Sequence, residues 1–193
     1  MARRRFRRDN GCMSPKLPTA HDVIAGYLQG VFPMDVDGRL GFYCCDPRAI
    51  IPLDQFRVPR TVRRGLRDST FEVRVDSAFA EVVAACGGPR HDGEWLSERL
   101  AAIYRDLHER GLAHSVEVWH SGHLAGGVFG VALGGLFTSE SMFHRVSNAG
   151  SAALVATHGL LVACGFALWD IQMTSPHTER FGAIEIDESD YAQ

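Results

Sequence analysis

The chain has 193 residues, 46% of them hydrophobic and 22% charged, with a formal net charge of −3. These are the proportions of an ordinary globular protein, and they exclude collagen, wholesale disorder and a disulfide-dense scaffold. The mean charge hides a split: residues 1–67 hold 13 Lys and Arg against 6 Asp and Glu, and residues 68–193 hold 7 against 17. A basic front part suited to an anionic partner precedes an acidic one.

Residues 1–18 read as a disordered basic arm. Arg3, Arg4, Arg5, Arg7 and Arg8 have the charge of an export signal's start, but the polar, Pro-broken stretch that follows has no apolar h-region. No stretch approaches the roughly 20 apolar residues of a spanning helix. Cys12, Cys44, Cys45, Cys86 and Cys164 form no C-x-x-C, and an odd number fits a reducing compartment. The expectation is a cytoplasmic protein with no membrane, in which Cys86 and Cys164 are small buried hydrophobes.

Thr19 caps a short helix bearing Val23, Ile24, Tyr27 and Leu28, which Gly30 ends. Residues 31–56, rich in Pro, Gly and aromatics, read as irregular. Arg57, Arg60, Arg63, Arg64 and Arg67 then share roughly one face of a helix starting near Pro59, with no acid among them. Residues 19–67 are therefore expected to form a small basic N-terminal domain, and 68–193 a catalytic one.

Phe71–Val75 alternates like a strand. Asp76 or Ser77 caps a helix carrying Phe79, Val82, Val83 and Cys86. From Trp95, the residues Leu96, Leu100, Ile103, Tyr104 and Leu107 give a helical stripe that Gly111 ends. Then the period changes. His114–Trp119, Leu124–Leu133 and Leu136–Glu140 are strands joined by Ser121-Gly122 and Gly134-Gly135 turns. His120 and His123 flank the first turn, and no Cys/His set completes a metal site. A long apolar helix, roughly Ala149–Ala163, leads into a strand at Phe166–Gln172, a short helix ending at Phe181-Gly182, and a last strand at Ala183–Ile186.

Three antiparallel strands followed by a crossover helix and a further strand predict a mixed sheet with a central βαβ unit. That arrangement sets Glu140 and Gln172 side by side at strand ends, where open α/β sheets bind ligands. The fold class is α/β (α+β), with the element order of N-acetyltransferase-like (GNAT-like) acyltransferases.

Eight segments in order resemble a known family. They are Gly30-Val31-Phe32-Pro33-Met34, Asp46-Pro47-Arg48, Gly93-Glu94-Trp95-Leu96, His114-Ser115-Val116-Glu117-Val118-Trp119, Gly126-Gly127-Val128-Phe129-Gly130, Ser139-Glu140-Ser141-Met142-Phe143, Asp170-Ile171-Gln172 and His177-Thr178-Glu179-Arg180-Phe181-Gly182-Ala183. Over roughly residues 19–187 the chain is similar to leucyl/phenylalanyl-tRNA–protein transferases. The resemblance implies transfer of Leu or Phe from aminoacyl-tRNA to the N-terminal Arg or Lys of a protein, marking it for N-end rule degradation. Separately, a monomer is expected. An aminoacyl ester is already activated, so no ATP, metal or other cofactor is called for.

The resemblance further implies a catalytic role for Gln172, with Asp170 behind it, and a charge-recognising role for Glu140. It places the aminoacyl side chain against Met34, Val128, Phe137, Thr157 and Leu161, and the donor adenosine near Tyr27 and Trp95. Met34 stands where the family pattern has Trp, and Ser151 where it has Lys. The Arg57–Arg67 face is the expected tRNA contact. Two rival readings remain: a coenzyme-A-dependent acetyltransferase using Arg145-Val146-Ser147-Asn148-Ala149-Gly150 as an incomplete phosphate loop, and a non-catalytic RNA-binding module.

Overall fold

A computed structural model describes residues 18–36, 38–87 and 95–191, together with the backbone of 5–8. Seven strands form the main sheet. Their spatial order is β10 (Ile184–Ile186), β4 (Arg48–Ile50), β9 (Leu168–Gln172), β8 (Leu136–His144), β7 (His123–Leu133), β6 (Ala113–His120) and β5 (Glu72–Val75). Neighbours are antiparallel except β8 and β9, which run parallel. A parallel pair needs a crossover, and α5 (Ala149–Ala163) supplies it. This is the expected mixed sheet with a central βαβ unit. A smaller antiparallel sheet takes the order β1 (Arg5–Arg8), β3 (Arg39–Asp46), β2 (Phe32–Val36).

Helices cover both faces of the main sheet. On one, α1 (Ala20–Leu28), α3 (Phe79–Cys86) and α4 (Glu98–Glu109) bury Val23, Tyr27, Val82, Leu100, Tyr104 and Leu107 against Phe129 and Val131. On the other, α5 and α2 (Arg60–Arg67) bury Ala153, Leu154, Leu161 and Val62 with Val128, Phe137 and Trp169. Adjacent residues of a strand point to opposite faces, so Val128 and Phe129 serve different cores. No helix among the described residues is long and apolar enough to cross a membrane.

Several local expectations are corrected. Residues 31–56 are not irregular but contain β2, β3 and β4. Gly38, at φ +73, makes the β2–β3 turn. Pro33 sits on an edge strand of its sheet, where a missing N–H costs little. Arg5–Arg8, expected within a disordered arm, pairs with Tyr43–Asp46; residues 1–4 and 9–17 of that arm lie outside the described residues. The expected boundary at 67–68 does not divide two cores: β4 is an inner strand of the main sheet, and Tyr27 and Tyr43 share a cluster with Leu100 and Phe129.

The cap of α3 is supplied from a distance. Asp76, at φ +55, accepts from Ser115 N, and the buried Glu117 carboxylate instead accepts from Ser77 N, Ser77 Oγ, Ala78 N and Ser115 Oγ. An anion at a helix N-terminus satisfies otherwise orphaned N–H groups. Helix α4 starts at Glu98 behind its cap Ser97, not at Trp95. Cys86 is buried, but Cys164 is exposed at the end of α5.

Candidate active site

Strands β8 and β9 pair at Leu136–Leu168, Phe137–Trp169 and Thr138–Asp170, and no further. Beyond Thr138 and Asp170 they part. Irregularities in both strands sharpen that opening. Phe129 faces Ser141 while Gly130 faces Ser139, so Glu140 is an extra residue in β8. Ala49 faces Gln172 while Ile50 faces Asp170, so Ile171 is extra in β9. Bulges re-aim side chains at the cost of ladder bonds, and here they bring Gln172 across to β8. Its Nε2 donates to Thr138 Oγ1 at 2.7 Å and to Glu140 Oε1 at 3.2 Å. Thr138 Oγ1 in turn donates to Glu140 Oε1 at 3.2 Å.

Glu140 is reached from the opposite side by two buried tyrosines. Tyr104 Oη donates to Glu140 Oε2 at 2.6 Å. That uses the only Tyr104 hydroxyl proton, so Tyr27 donates to Tyr104 in the 3.1 Å contact between their hydroxyls. Burial pushes the Glu140 carboxyl up to about 7, against the opposing pull of the Tyr104 hydrogen bond and of the Tyr27 hydroxyl behind it. Burial also drives both tyrosine hydroxyls well above their ordinary pKa, so they stay protonated as donors.

Asp170 is fully buried and paired with Arg48. Arg48 Nε lies 3.0 Å from Oδ1 and 3.2 Å from Oδ2, and Nη2 lies 2.5 Å from Oδ2. Tyr191, in the short helix α7 (Glu188–Tyr191), donates its hydroxyl to Oδ2 at 2.8 Å. Gln172 N donates to Oδ1 at 2.8 Å. Burial disfavours the Arg48 charge, but its hydrogen bonds to Asp170 outweigh this and raise its pKa above the ordinary guanidinium value.

These strand ends hold a carboxylate near neutrality, an amide, a hydroxyl and a paired carboxylate, a set suited to binding and orienting an amine. Comparison with known proteins gives the family. Residues 50–193 match the family model described as leucyl/phenylalanyl-tRNA protein transferase. A relative of that name from Herpetosiphon aurantiacus is 47% identical over 182 residues, covering 94% of this chain and 92% of that protein. Another, from Prosthecochloris aestuarii, is 45% identical over 88% of this chain and 90% of that one. The chain belongs to the leucyl/phenylalanyl-tRNA–protein transferase family. It is accordingly an enzyme, an aminoacyltransferase. Among solved structures, L-PGS from Bacillus licheniformis aligns with TM-score 0.46 and 15% identity over 67% of this chain and 46% of that one. A GCN5-related N-acetyltransferase-like protein from Streptococcus suis aligns with TM-score 0.39 and 14% identity over 86% of this chain and 64% of that one. The chain thus spans less than two thirds of either solved chain.

The residues assigned by resemblance to this transferase family fall into distinct places. Gln172, Glu140 and Asp170 come together. Val128, Phe137 and Leu161 share the core between the sheet and α5, and Thr157, also buried, donates to Ala153 O at 2.8 Å. Met34 and Trp95 lie instead against the core on the opposite face, with Tyr27. The Tyr27 ring is buried, only 4% exposed, and its hydroxyl meets that of Tyr104.

The arginines of the expected tRNA face are all exposed, and among the described residues none of the five is in an ion pair. Arg60, Arg63, Arg64 and Arg67 lie on α2, and Arg57 precedes it. Val62 anchors the helix in the core. Exposed Arg180 joins this face by donating to Thr61 Oγ1 at 3.3 Å. Arg48, Tyr104, Thr138 and Tyr191 had no assigned role from sequence. Arg48 and Thr138 had a usable signal, a family motif and the position two before Glu140; Tyr191 had none.

Proposed function

We propose that this family member transfers Leu or Phe from aminoacyl-tRNA to the α-amine of proteins beginning with Arg or Lys, in the cytoplasm, so marking them for N-end rule degradation. The observation that supports this most is the Gln172–Thr138–Glu140 triangle at the splayed ends of β8 and β9. The reaction joins an amine to an activated ester. Its needs are an amine freed of its proton, a charge environment suited to a cation, and alignment of the two reactants.

The charge environment and the alignment each have a residue. Both Gln172 amide protons are used on Thr138 and Glu140, so its carbonyl is the end left to accept from the incoming amine. Glu140, when ionised, is the anion that draws a cationic acceptor to the cleft. Gln172 is no base at neutral pH, so its contribution is orientation, and holding amine against ester is worth several orders of magnitude in rate. Exposed arginines on α2 supply contacts to phosphates that are tolerant of sequence, as a shared tRNA acceptor end requires.

A coenzyme A reading is disfavoured at the start of α5. Gly65 of α2 lies so close to Asn148 that an added Cβ would stand 2.6 Å from Asn148 Nδ2. The helix end that would cradle a pyrophosphate is packed against α2. Transfer of labelled Leu, Phe and Met from charged tRNA onto an Arg-initiated peptide tests the proposal. Transfer of Leu or Phe is expected; acetyl-CoA binding with no transfer from charged tRNA overturns it.

A further inference from the structure

We propose that Arg48 and Tyr191 are positioning residues that fix Asp170, and through it Gln172, in the geometry the transfer step needs. This rests on the reading of the site given above. A carboxylate offers about four lone-pair positions. Asp170 receives three contacts from Arg48, one from the Tyr191 hydroxyl and one from the Gln172 backbone. With no exposure and every position engaged, Asp170 has nothing left with which to bind an amine or take its proton. Its work is to hold its neighbours.

The neighbour it holds is unusual. Gln172 has φ +56, a left-handed conformation that disfavours a residue with a Cβ. Its backbone N–H is tied to Asp170 Oδ1, and its side chain reaches Thr138 and Glu140 from that conformation. A strained residue persists where the surroundings over-determine it, and such residues concentrate at functional sites. Asp170 supplies that constraint only if it cannot swing, and Arg48 and Tyr191 prevent it from swinging.

Arg48 is held as firmly as it holds. Its remaining amino group donates to Gly30 O at 3.0 Å. Its guanidinium lies 4.9 Å from the Phe32 ring centroid and 4.8 Å from that of Tyr191. Cation–π contacts of this kind strengthen when desolvated, and Arg48 is only 2% exposed. Gly30, at φ +77, takes a backbone conformation suited to glycine. The knot therefore ties the end of α1, β2, β4, β9 and α7 to one carboxylate.

Tyr191→Phe keeps the ring over Arg48 and removes only the hydroxyl. Loss of one hydrogen bond to a charged group corresponds to about a tenfold fall in kcat if it is made for the reactive geometry. KM for charged tRNA and for an Arg-initiated peptide is expected to stay within about twofold, while the melting temperature falls by about 3 to 6 °C, the cost of one buried hydrogen bond to a charged group in a chain of this length. Arg48→Lys, which cannot make the bidentate contact, is expected to lose about 100-fold in kcat. In an Asp170→Asn background, Tyr191→Phe is expected to cost less than about twofold, because a residue acting through another loses its effect when that residue is changed. Unchanged kcat in Tyr191→Phe, or the same loss in both backgrounds, overturns the proposal while leaving the active-site reading intact. Absence of transfer by the unaltered protein overturns both.

Discussion

Arg48 and the arginines of α2 bear the same charged group in opposite settings. Arg48 is buried, paired and stacked between two rings, whereas Arg57, Arg60, Arg63, Arg64 and Arg67 are exposed and, among the described residues, without an ion pair. The contrast separates two uses of charge. A guanidinium fixed in a dry site holds other groups to a fraction of an ångström. A set of free ones on a helix face offers a field that tolerates many orientations of a polyanion. A basic front part of the chain, taken as one feature, mixes these two uses.

The sharpest way to break this comparison is to remove the partner of the buried charge. Asp170→Ala strands Arg48 in a site 2% exposed, and an uncompensated buried charge costs about 3–5 kcal/mol. Removing an exposed arginine such as Arg63 is expected to change stability by no more than about 0.5 kcal/mol. Urea unfolding of the two variants measures the difference; equal costs would show that the Arg48–Asp170 pair is not the anchor described.

Next in size is the effect on substrate. The triple change Arg60, Arg63 and Arg64 to Ala is expected to raise KM for charged tRNA about tenfold or more at low salt, with kcat little altered. The slope of log affinity against log salt is expected to fall by about 2 to 3, the loss of three phosphate contacts. If KM at low salt does not move, α2 is a solvated face and the tRNA lies elsewhere.

What could be read from sequence follows the same division. Features with a period were legible: α5, the meander of β6 to β8, and the arginine face of α2. The adjacency of Glu140 and Gln172 followed from topology, since a crossover helix brings two parallel strand ends together. Arg48 stood in the Asp46-Pro47-Arg48 motif that carries the resemblance, but its role was not legible, because its partner lies 122 positions away. Tyr191 sits in a one-turn helix with no pattern of its own. The strands β2 and β3 were hidden by Pro33 and Gly38, residues that mark loops in most contexts but here fall on an edge strand and in a hairpin turn. The cap of α3 came from Glu117, far along the chain, because tertiary contacts replace local capping where a buried carboxylate is at hand.

The pH dependence sharpens the role of the site's other carboxylate. Burial pushes Glu140 up to about 7, so it is largely protonated below that pH and ionised above it. If the ionised form draws the acceptor, kcat/KM for an Arg-initiated peptide is expected to rise with pH through about 7. Glu140→Gln is expected to lower the plateau and to remove that limb. The stability effect has the opposite sign. The folded state keeps its proton to higher pH than the unfolded chain, so Glu140 destabilises the fold increasingly as pH rises from its ordinary value to about 7. Thermal unfolding is therefore expected to show Glu140→Gln gaining on the unaltered protein as pH rises. A variant that gains nothing at pH 8 relative to pH 5 would contradict the burial argument.

The smallest expected effect tests how Tyr27 participates. Its ring is packed in the core, and its hydroxyl donates to Tyr104, which donates to Glu140. Tyr27→Phe keeps the packing and removes one buried hydrogen bond, a loss of about 1 kcal/mol in stability by thermal unfolding. The same hydroxyl helps the ionised Glu140 against burial, so its removal is expected to move the rising limb of kcat/KM to higher pH. The plateau, read where Glu140 is ionised in both proteins, is expected to change by less than about threefold. A role in stacking on the donor base predicts a different result: Tyr27→Phe would leave the limb in place, and KM for charged tRNA would respond to the loss of the ring in Tyr27→Leu. A shifted limb with unchanged KM for charged tRNA places Tyr27 with Glu140, on the acceptor side of the reaction.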